Sequence, residues 1–295
     1  MPSQQDITYE TPEYPRQIRL DSTTFCNASC LSCHRVLTER KGEMDNDLLN
    51  TLLKDIAQWT PESYLKPQGR GGFTREIVPV NYGEFFLRKD WFNILSKIYR
   101  VLPYMPIVIP TNGSLMDDDT VAKLCSIPSV RVLNFSVNAY FDETYEKFMG
   151  LKADNIVKIQ KAIAQIKVIR PDITLWASMV FDPQYCSDLQ RDAFIGYWKE
   201  LAEPQLLPAA SAGRGTQIQI PRVIPCGSIF SDIVIGYDGK ISSCCWDADF
   251  SAYNLGFYSG NLLNDWHSKQ FQEFRKIHNE KRRQEIPLCK DCTYE

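Results

Sequence analysis

Cys26-Asn27-Ala28-Ser29-Cys30-Leu31-Ser32-Cys33 places three thiols within eight residues, spaced C-x3-C-x2-C. The stretch directly follows an apolar, β-rich run over residues 17–22. In parallel α/β proteins, ligands bind at the C-terminal ends of the strands. A loop after the first strand would therefore bring its three thiolates to the mouth of the sheet. Three cysteines that hold a [4Fe–4S] cluster leave one iron open. A structural zinc site is the other reading, with His34 as a fourth ligand. The spacing by itself leaves both open.

Outward from this loop the chain alternates in pattern. Strand-like runs lie at 17–22, 76–81, 107–110, 131–138, 173–181 and 205–209. Helical patterns lie between them at 46–59, 90–102, 117–127, 155–169 and 187–201. Strands separated by helices of this length predict an α/β fold of βαβ units on a parallel sheet. After about residue 222 the pattern changes to short strands, one helix over 263–280, and five more cysteines. A boundary near Pro221 gives two predicted domains, 1–222 and 223–295.

Bulk properties narrow the classes. The 295 residues are 44% hydrophobic and 23% charged, which is ordinary for a soluble globular protein. A net charge of −3 argues against general nucleic-acid binding. No run of apolar residues is long enough to span a membrane. The polar, Pro-punctuated N-terminal stretch has no signal-peptide core, so a cytoplasmic protein is expected. In that setting ten cysteines point to metal or redox use rather than disulfides. Cys125 and Cys186 stand alone in helix-like stretches and read as small buried hydrophobes.

Three short motifs recur at strand ends. Tyr82-Gly83-Glu84 follows the second strand, Thr111-Asn112-Gly113 follows the third, and Ser136-Val137-Asn138 ends the fourth. Singly, these are a surface carboxylate, a turn and a strand hydroxyl. Jointly, and in this order after the cysteine loop, they resemble the radical S-adenosylmethionine (SAM) superfamily. The resemblance implies a partial (β/α)6 TIM-like barrel and a [4Fe–4S] cluster on Cys26, Cys30 and Cys33, with SAM on the open iron. It implies reductive cleavage of SAM to a 5′-deoxyadenosyl radical that abstracts a substrate hydrogen. Glu84 would accept from the methionine ammonium, within the Tyr82-Gly83-Glu84 turn. Asn112, Ser136, Asn138 and Lys152 would supply further SAM contacts. Two positions depart from the family pattern: Ser32 stands where an aromatic residue usually touches adenine, and Tyr82 stands where a glycine usually opens the turn.

The tail repeats the cysteine theme. Cys226, Gly239 and Cys244 are spaced C-x12-G-x4-C, and Cys289-Lys290-Asp291-Cys292 follows. Asp238-Gly239 predicts a type I′ hairpin that brings Cys226 and Cys244 together. Four thiolates suit zinc as well as a cluster. The tail resembles the twitch domain, a shorter relative of the SPASM domain. That implies a second [4Fe–4S] cluster on Cys226, Cys244, Cys289 and Cys292, with Cys245 as a neighbour or as a substitute for Cys244. A cluster with four protein ligands has no open iron and is suited to moving electrons. On the last helix, Trp266, Phe271 and Phe274 predict a buried face, and His267 and His278 are expected at the surface.

A closed second cluster matches a two-electron oxidation, in which one electron remains after a hydrogen atom is removed. The architecture is similar to that of twitch-type dehydrogenases acting on 2-deoxy-scyllo-inosamine. This implies dehydrogenation of a small polar natural-product intermediate, with Arg214 of Ala212-Gly213-Arg214-Gly215 touching substrate or helping to remove its hydroxyl proton. A peptide-modifying enzyme that cross-links or epimerises its substrate is the alternative. A non-catalytic metal-binding protein is the remote one. The chemistry implies a flavodoxin- or ferredoxin-like electron donor. The Gly-rich stretch 68–72 lacks the order of a phosphate loop. Trp176 and Trp246 are candidates to line a substrate pocket.

Overall fold

The computed structural model describes residues 7–59, 75–183, 185–208, 224–290 and 292. Arg214, the boundary near Pro221 and the Gly-rich stretch 68–72 lie outside the described residues. Six strands follow one another across a parallel sheet: β1 (Gln17–Leu20), β2 (Glu76–Val78), β3 (Ile107–Thr111), β4 (Val130–Ser136), β5 (Thr174–Phe181) and β6 (Glu203–Pro208). The connecting helices are α1 (Asn46–Ile56), α2 (Trp91–Val101), α3 (Asp118–Cys125), α4 (Asp142–Met149), α5 (Asp154–Ile169) and α6 (Asp188–Trp198). Each lies where the periodicity predicts it, except α4, which the sequence reading leaves out. This is the mixed α/β, mostly parallel architecture expected.

The tail does not stand apart from this sheet. β7 (Asp232–Ile235) pairs in parallel with β1, and β8 (Ile241–Ser242) returns antiparallel to β7. The result is one eight-stranded sheet in the order β6-β5-β4-β3-β2-β1-β7-β8. The hairpin is present but its turn differs from the predicted type I′. Gly239 alone has positive φ there, at 82°, and its N–H donates to Gly236 O. That is a turn ended by a left-handed glycine, which needs no positive φ at Asp238. The predicted single last helix is two, α7 (Leu262–Trp266) and α8 (Lys269–Asn279), because Ser268 caps α8 by accepting from Phe271 N–H.

Period-two alternation divides the strand residues between two faces. Ile18, Leu20, Ile77, Ile107, Ile109, Leu133, Phe135, Ala177 and Met179 are buried in the core beneath the helices. The helices meet them with stripes such as Leu49, Leu52, Leu53 and Ile56 on α1, and Ile156, Ile159, Ile163 and Ile166 on α5. Asp45, Asp117 and Ser187 cap α1, α3 and α6 through side-chain bonds from Leu48, Thr120 and Gln190 N–H. The other face carries Arg19, Val78, Val108, Val132, Asn134, Trp176, Glu203 and Gln205. Trp176 packs on the three valines there and donates to Glu203 Oε2 at 2.9 Å. Among the described residues no helix is long and apolar enough to cross a membrane.

Candidate active site

The first cysteine loop leaves the C-terminal end of β1 and rests on α4. Ser29 N–H donates to Met149 O at 3.0 Å and Leu31 N–H to Phe148 O at 2.9 Å. The loop thereby satisfies carbonyls at the end of α4 that lack partners within the helix. Gly150 ends α4 at φ 65°, and a Cβ there would overlap Ser29 Oγ. Arg35 Nη2 donates to Ala28 O at 3.0 Å, across the loop. Cys30 Sγ lies 3.6 Å from Met149 Sδ. All three cysteines are free, and burial pushes their thiols up, Cys30 to about 12, with Cys33 and Cys26 adding repulsion. Three desolvated cysteines whose thiolate forms would repel one another gain by exchanging protons for a cationic centre. The donor set therefore fits a bound cluster.

The strand-end motifs close on this loop. Glu84 is buried, and its carboxylate accepts from Thr111 Oγ1 at 2.9 Å, Asn112 N–H at 2.7 Å and Phe86 N–H at 3.2 Å. Burial pushes its pKa up, against the pull of these three donors. A carboxylate has about four acceptor positions, so one remains for a ligand ammonium. Gly83 packs on the chain leading into the cysteines, where a Cβ would overlap Thr23 O. Asn112 Nδ2 donates to Asn27 Oδ1 at 2.9 Å and lies 3.9 Å from Cys26 Sγ. Ser136 ends β4 on the sheet face away from the core helices. Asn138 has φ 62°; its Oδ1 accepts from Val180 N–H at 2.8 Å and its Nδ2 meets Met149 Sδ at 3.0 Å, so its amide is engaged by the protein. Lys152 is exposed on the link between α4 and α5.

Tyr82 stands between the two groups of cysteines. Its hydroxyl is buried without a hydrogen-bond partner. Burial raises its pKa most, and Cys245, Cys244 and Cys33 add to the effect, so the hydroxyl lies within electrostatic reach of both loops. Beside it, Asn81 Nδ2 donates to Cys245 O at 3.4 Å.

Cys226, Cys244, Cys289 and Cys292 line one small apolar cavity together with Trp246 and Arg283. Burial again pushes Cys226, Cys244 and Cys289 up, Cys289 to about 12. Cys245 is pushed up to about 11 by burial, opposed by Arg19, and does not line the cavity. Four buried sulfurs around one apolar space fit a closed cluster. His34, the alternative zinc ligand, places Nδ1 at hydrogen-bond distance from Trp246 O.

His278 corrects an expectation. It is fully buried rather than at the surface, its Nδ1 accepts from Cys226 N–H at 3.3 Å, and burial pushes it down to about 3. Its position four residues after Phe274 and seven after Phe271 carries the signal for that buried face. His267 is engaged at the surface with Glu13 O at 2.7 Å. Gly150 also had a legible signal, as a glycine ending a helix. Arg35, Asn27 and Arg283 carry no local pattern that separates them from solvated polar residues.

Residues 226–293 match the SPASM family, an iron–sulfur cluster-binding domain. The chain is 21% identical over 285 residues to the S-adenosyl-L-methionine-dependent 2-deoxy-scyllo-inosamine dehydrogenase of Niallia circulans, across 94% of this chain and 92% of the relative. The crystal structure of BtrN in complex with AdoMet and 2-DOIA superimposes with a TM-score of 0.67 at 19% identity, covering 95% of this chain and 93% of that one. That of Streptococcus suis SuiB bound to precursor peptide SuiA gives 0.66 at 12% identity, covering 96% of this chain and 72% of that one. The fold is thus that of radical SAM structures, followed by a SPASM-type tail.

Proposed function

We propose that this chain is a radical SAM oxidoreductase carrying two [4Fe–4S] clusters. Cys26, Cys30 and Cys33 hold the first, with SAM on its open iron, and Cys226, Cys244, Cys289 and Cys292 close the second. When bound, the first cluster with SAM supplies a carbon radical that removes a substrate hydrogen atom, and the second supplies an acceptor for the electron left behind. The chain's own residues bind and orient. Glu84 offers its remaining acceptor position to the methionine ammonium, Asn112 stands beside Cys26, and Tyr82 lies within electrostatic reach of both cysteine loops. The polar row Arg19, Asn134, Glu203 and Gln205, with Trp176, gives the sheet's open face groups that suit a small hydroxylated or amino substrate. Arg214 keeps its role as a substrate contact, or as a group that helps remove the hydroxyl proton, on resemblance alone. A flavodoxin- or ferredoxin-like protein is the electron donor.

The observation that carries this reading is the cavity closed by four cysteines, because a fully ligated cluster is suited to electron transfer and not to holding substrate. The dehydrogenase name of the Niallia circulans relative supports an oxidation. The likeness to SuiB with its precursor peptide supports peptide modification as a second reading.

Iron analysis and product analysis of a Cys226→Ala/Cys292→Ala variant test the proposal. The wild type should hold about eight irons and the variant about four. The variant should still form 5′-deoxyadenosine from SAM under dithionite. With 2-deoxy-scyllo-inosamine as probe, it should lose any oxidised product that the wild type makes. About four irons in the wild type would refute two clusters. Full oxidation by the variant would remove the acceptor role. Turnover of a short precursor peptide, with none of the aminocyclitol, would favour the second reading.

A further inference from the structure

We infer that Arg283 is the counter-cation of the auxiliary cluster, placed so that the cluster accepts an electron more readily. The inference rests on the reading of Cys226, Cys244, Cys289 and Cys292 as that cluster's ligands. Arg283 is 2% exposed and lines the same cavity as the four cysteines. Its Nε donates to Cys289 O at 3.3 Å, its Nη2 to Cys292 O at 3.2 Å and its Nη1 to Ile224 O at 3.1 Å. Two of these acceptors belong to the ligand residues themselves. The guanidinium is therefore fixed against the C-x2-C loop, and its field reaches the Cys226 and Cys289 sulfurs.

Among the described residues no ion pair to Arg283 occurs, while neighbouring Arg282 on the surface takes both Glu280 and Glu285. Burying an unpaired charge is costly, and three carbonyl dipoles offset that cost only in part. Four thiolates closing around a cluster supply the missing negative charge. Two other buried basic groups nearby do not serve. His278 is buried with Nδ1 accepting the Cys226 N–H, which leaves it neutral. Arg275 is buried against the Trp266 ring at 3.8 Å, donates to Ile229 O and Trp266 O, and does not line the cavity.

The physical consequence is a direction of potential. The electron left on the substrate after hydrogen-atom removal adds one negative charge to the auxiliary site. A fixed cation in a water-excluded pocket stabilises the reduced form more than the oxidised form, because the interaction grows with the charge. Net charge and solvent exposure are among the factors that set cluster potentials.

The test is a redox titration followed by electron paramagnetic resonance on the holo-protein with both clusters, as wild type, Arg283→Gln and Arg283→Lys. Arg283→Gln should disfavour reduction of the auxiliary couple by tenfold or more, about 59 mV for one electron. The couple of the cluster on Cys26, Cys30 and Cys33 should not move, and Arg283→Lys should stay near wild type. An unshifted auxiliary couple in Arg283→Gln overturns the inference. If Arg283→Gln fails to retain the second cluster, retention by Arg283→Lys upholds the need for charge. Loss in both variants assigns Arg283 to the loop fold and overturns the inference. A wild type that shows only one cluster defeats the functional reading instead, so the two failures are distinct.

Discussion

His34 and Trp246 lock the two cysteine loops to each other. His34 Nδ1 lies 3.2 Å from the Trp246 carbonyl oxygen, and the ring centroids are 5.1 Å apart. Each residue directly follows a cysteine, Cys33 in one loop and Cys245 in the other, and 212 positions separate them. A second tie runs beside the first. Arg40 bonds both oxygens of Asp238 at 2.9 Å and lies over the rings of Tyr237 and Phe250. With β7 hydrogen-bonded along β1, these contacts hold both candidate cluster sites at one end of one sheet.

The His34–Trp246 pair should show as a coupling energy. In a double-mutant cycle of His34→Ala and Trp246→Ala, the interaction term should be about 0.5–1.5 kcal/mol. Urea unfolding of the four proteins measures it. Strict additivity would mean that the rings touch without holding the loops together.

Gly150→Ala should damage the first site from a distance. The left-handed conformation costs an L-residue about 1–2 kcal/mol, and the added methyl meets Ser29. The variant should lose stability by at least that amount and incorporate less iron at the first site. Ser29→Ala in the same chain should recover part of the loss by removing the overlapping hydroxyl. Iron content and melting temperature decide the matter.

Glu84 separates charge from shape. Glu84→Gln keeps the volume and removes the anion, so SAM should bind about 1.5–3 kcal/mol more weakly, roughly ten- to a hundred-fold. Glu84→Ala should also strip partners from Thr111 Oγ1 and the Phe86 and Asn112 N–H groups. Each buried donor left unpaired costs about 1–3 kcal/mol, so this variant should be the less stable. Calorimetric SAM titration and denaturation separate the two effects. Unchanged SAM affinity in Glu84→Gln would confine the residue to a structural role.

Asp21 should make stability fall with rising pH. It sits at the end of β1, accepts from Tyr82 N–H at 3.4 Å, and burial pushes it up to about 7. Arg40 and Arg19 pull it down and Asp238 pushes it up. The folded form therefore holds its proton over a range where the unfolded form has lost it. Its contribution is present below about pH 4 and is lost as pH rises to about 7, at most about 4 kcal/mol. Asp21→Asn should flatten that part of the stability profile. A wild-type profile already flat between pH 4 and 7 would contradict the shift.

The sequence by itself determined the repeating βαβ order, because hydrophobic period and strand-ending turns are local properties. It also determined the two cysteine groups, since C-x3-C-x2-C and C-x2-C keep their thiols close whatever the rest of the chain does. The packing of the strand-end motifs was legible only as an order. That Glu84 spends most of its carboxylate on the Thr111–Asn112 turn, and that Asn138 is engaged by Val180 and Met149, follows from which strands lie side by side. The tertiary structure alone decided that β7 extends the barrel sheet beside β1, and that α4 carries the first loop. It alone buried Arg283 against the second group of cysteines and set His34 on Trp246. These pairings join residues that no local period or spacing relates. They form because burying the shared core brings distant segments to the same edge of the sheet.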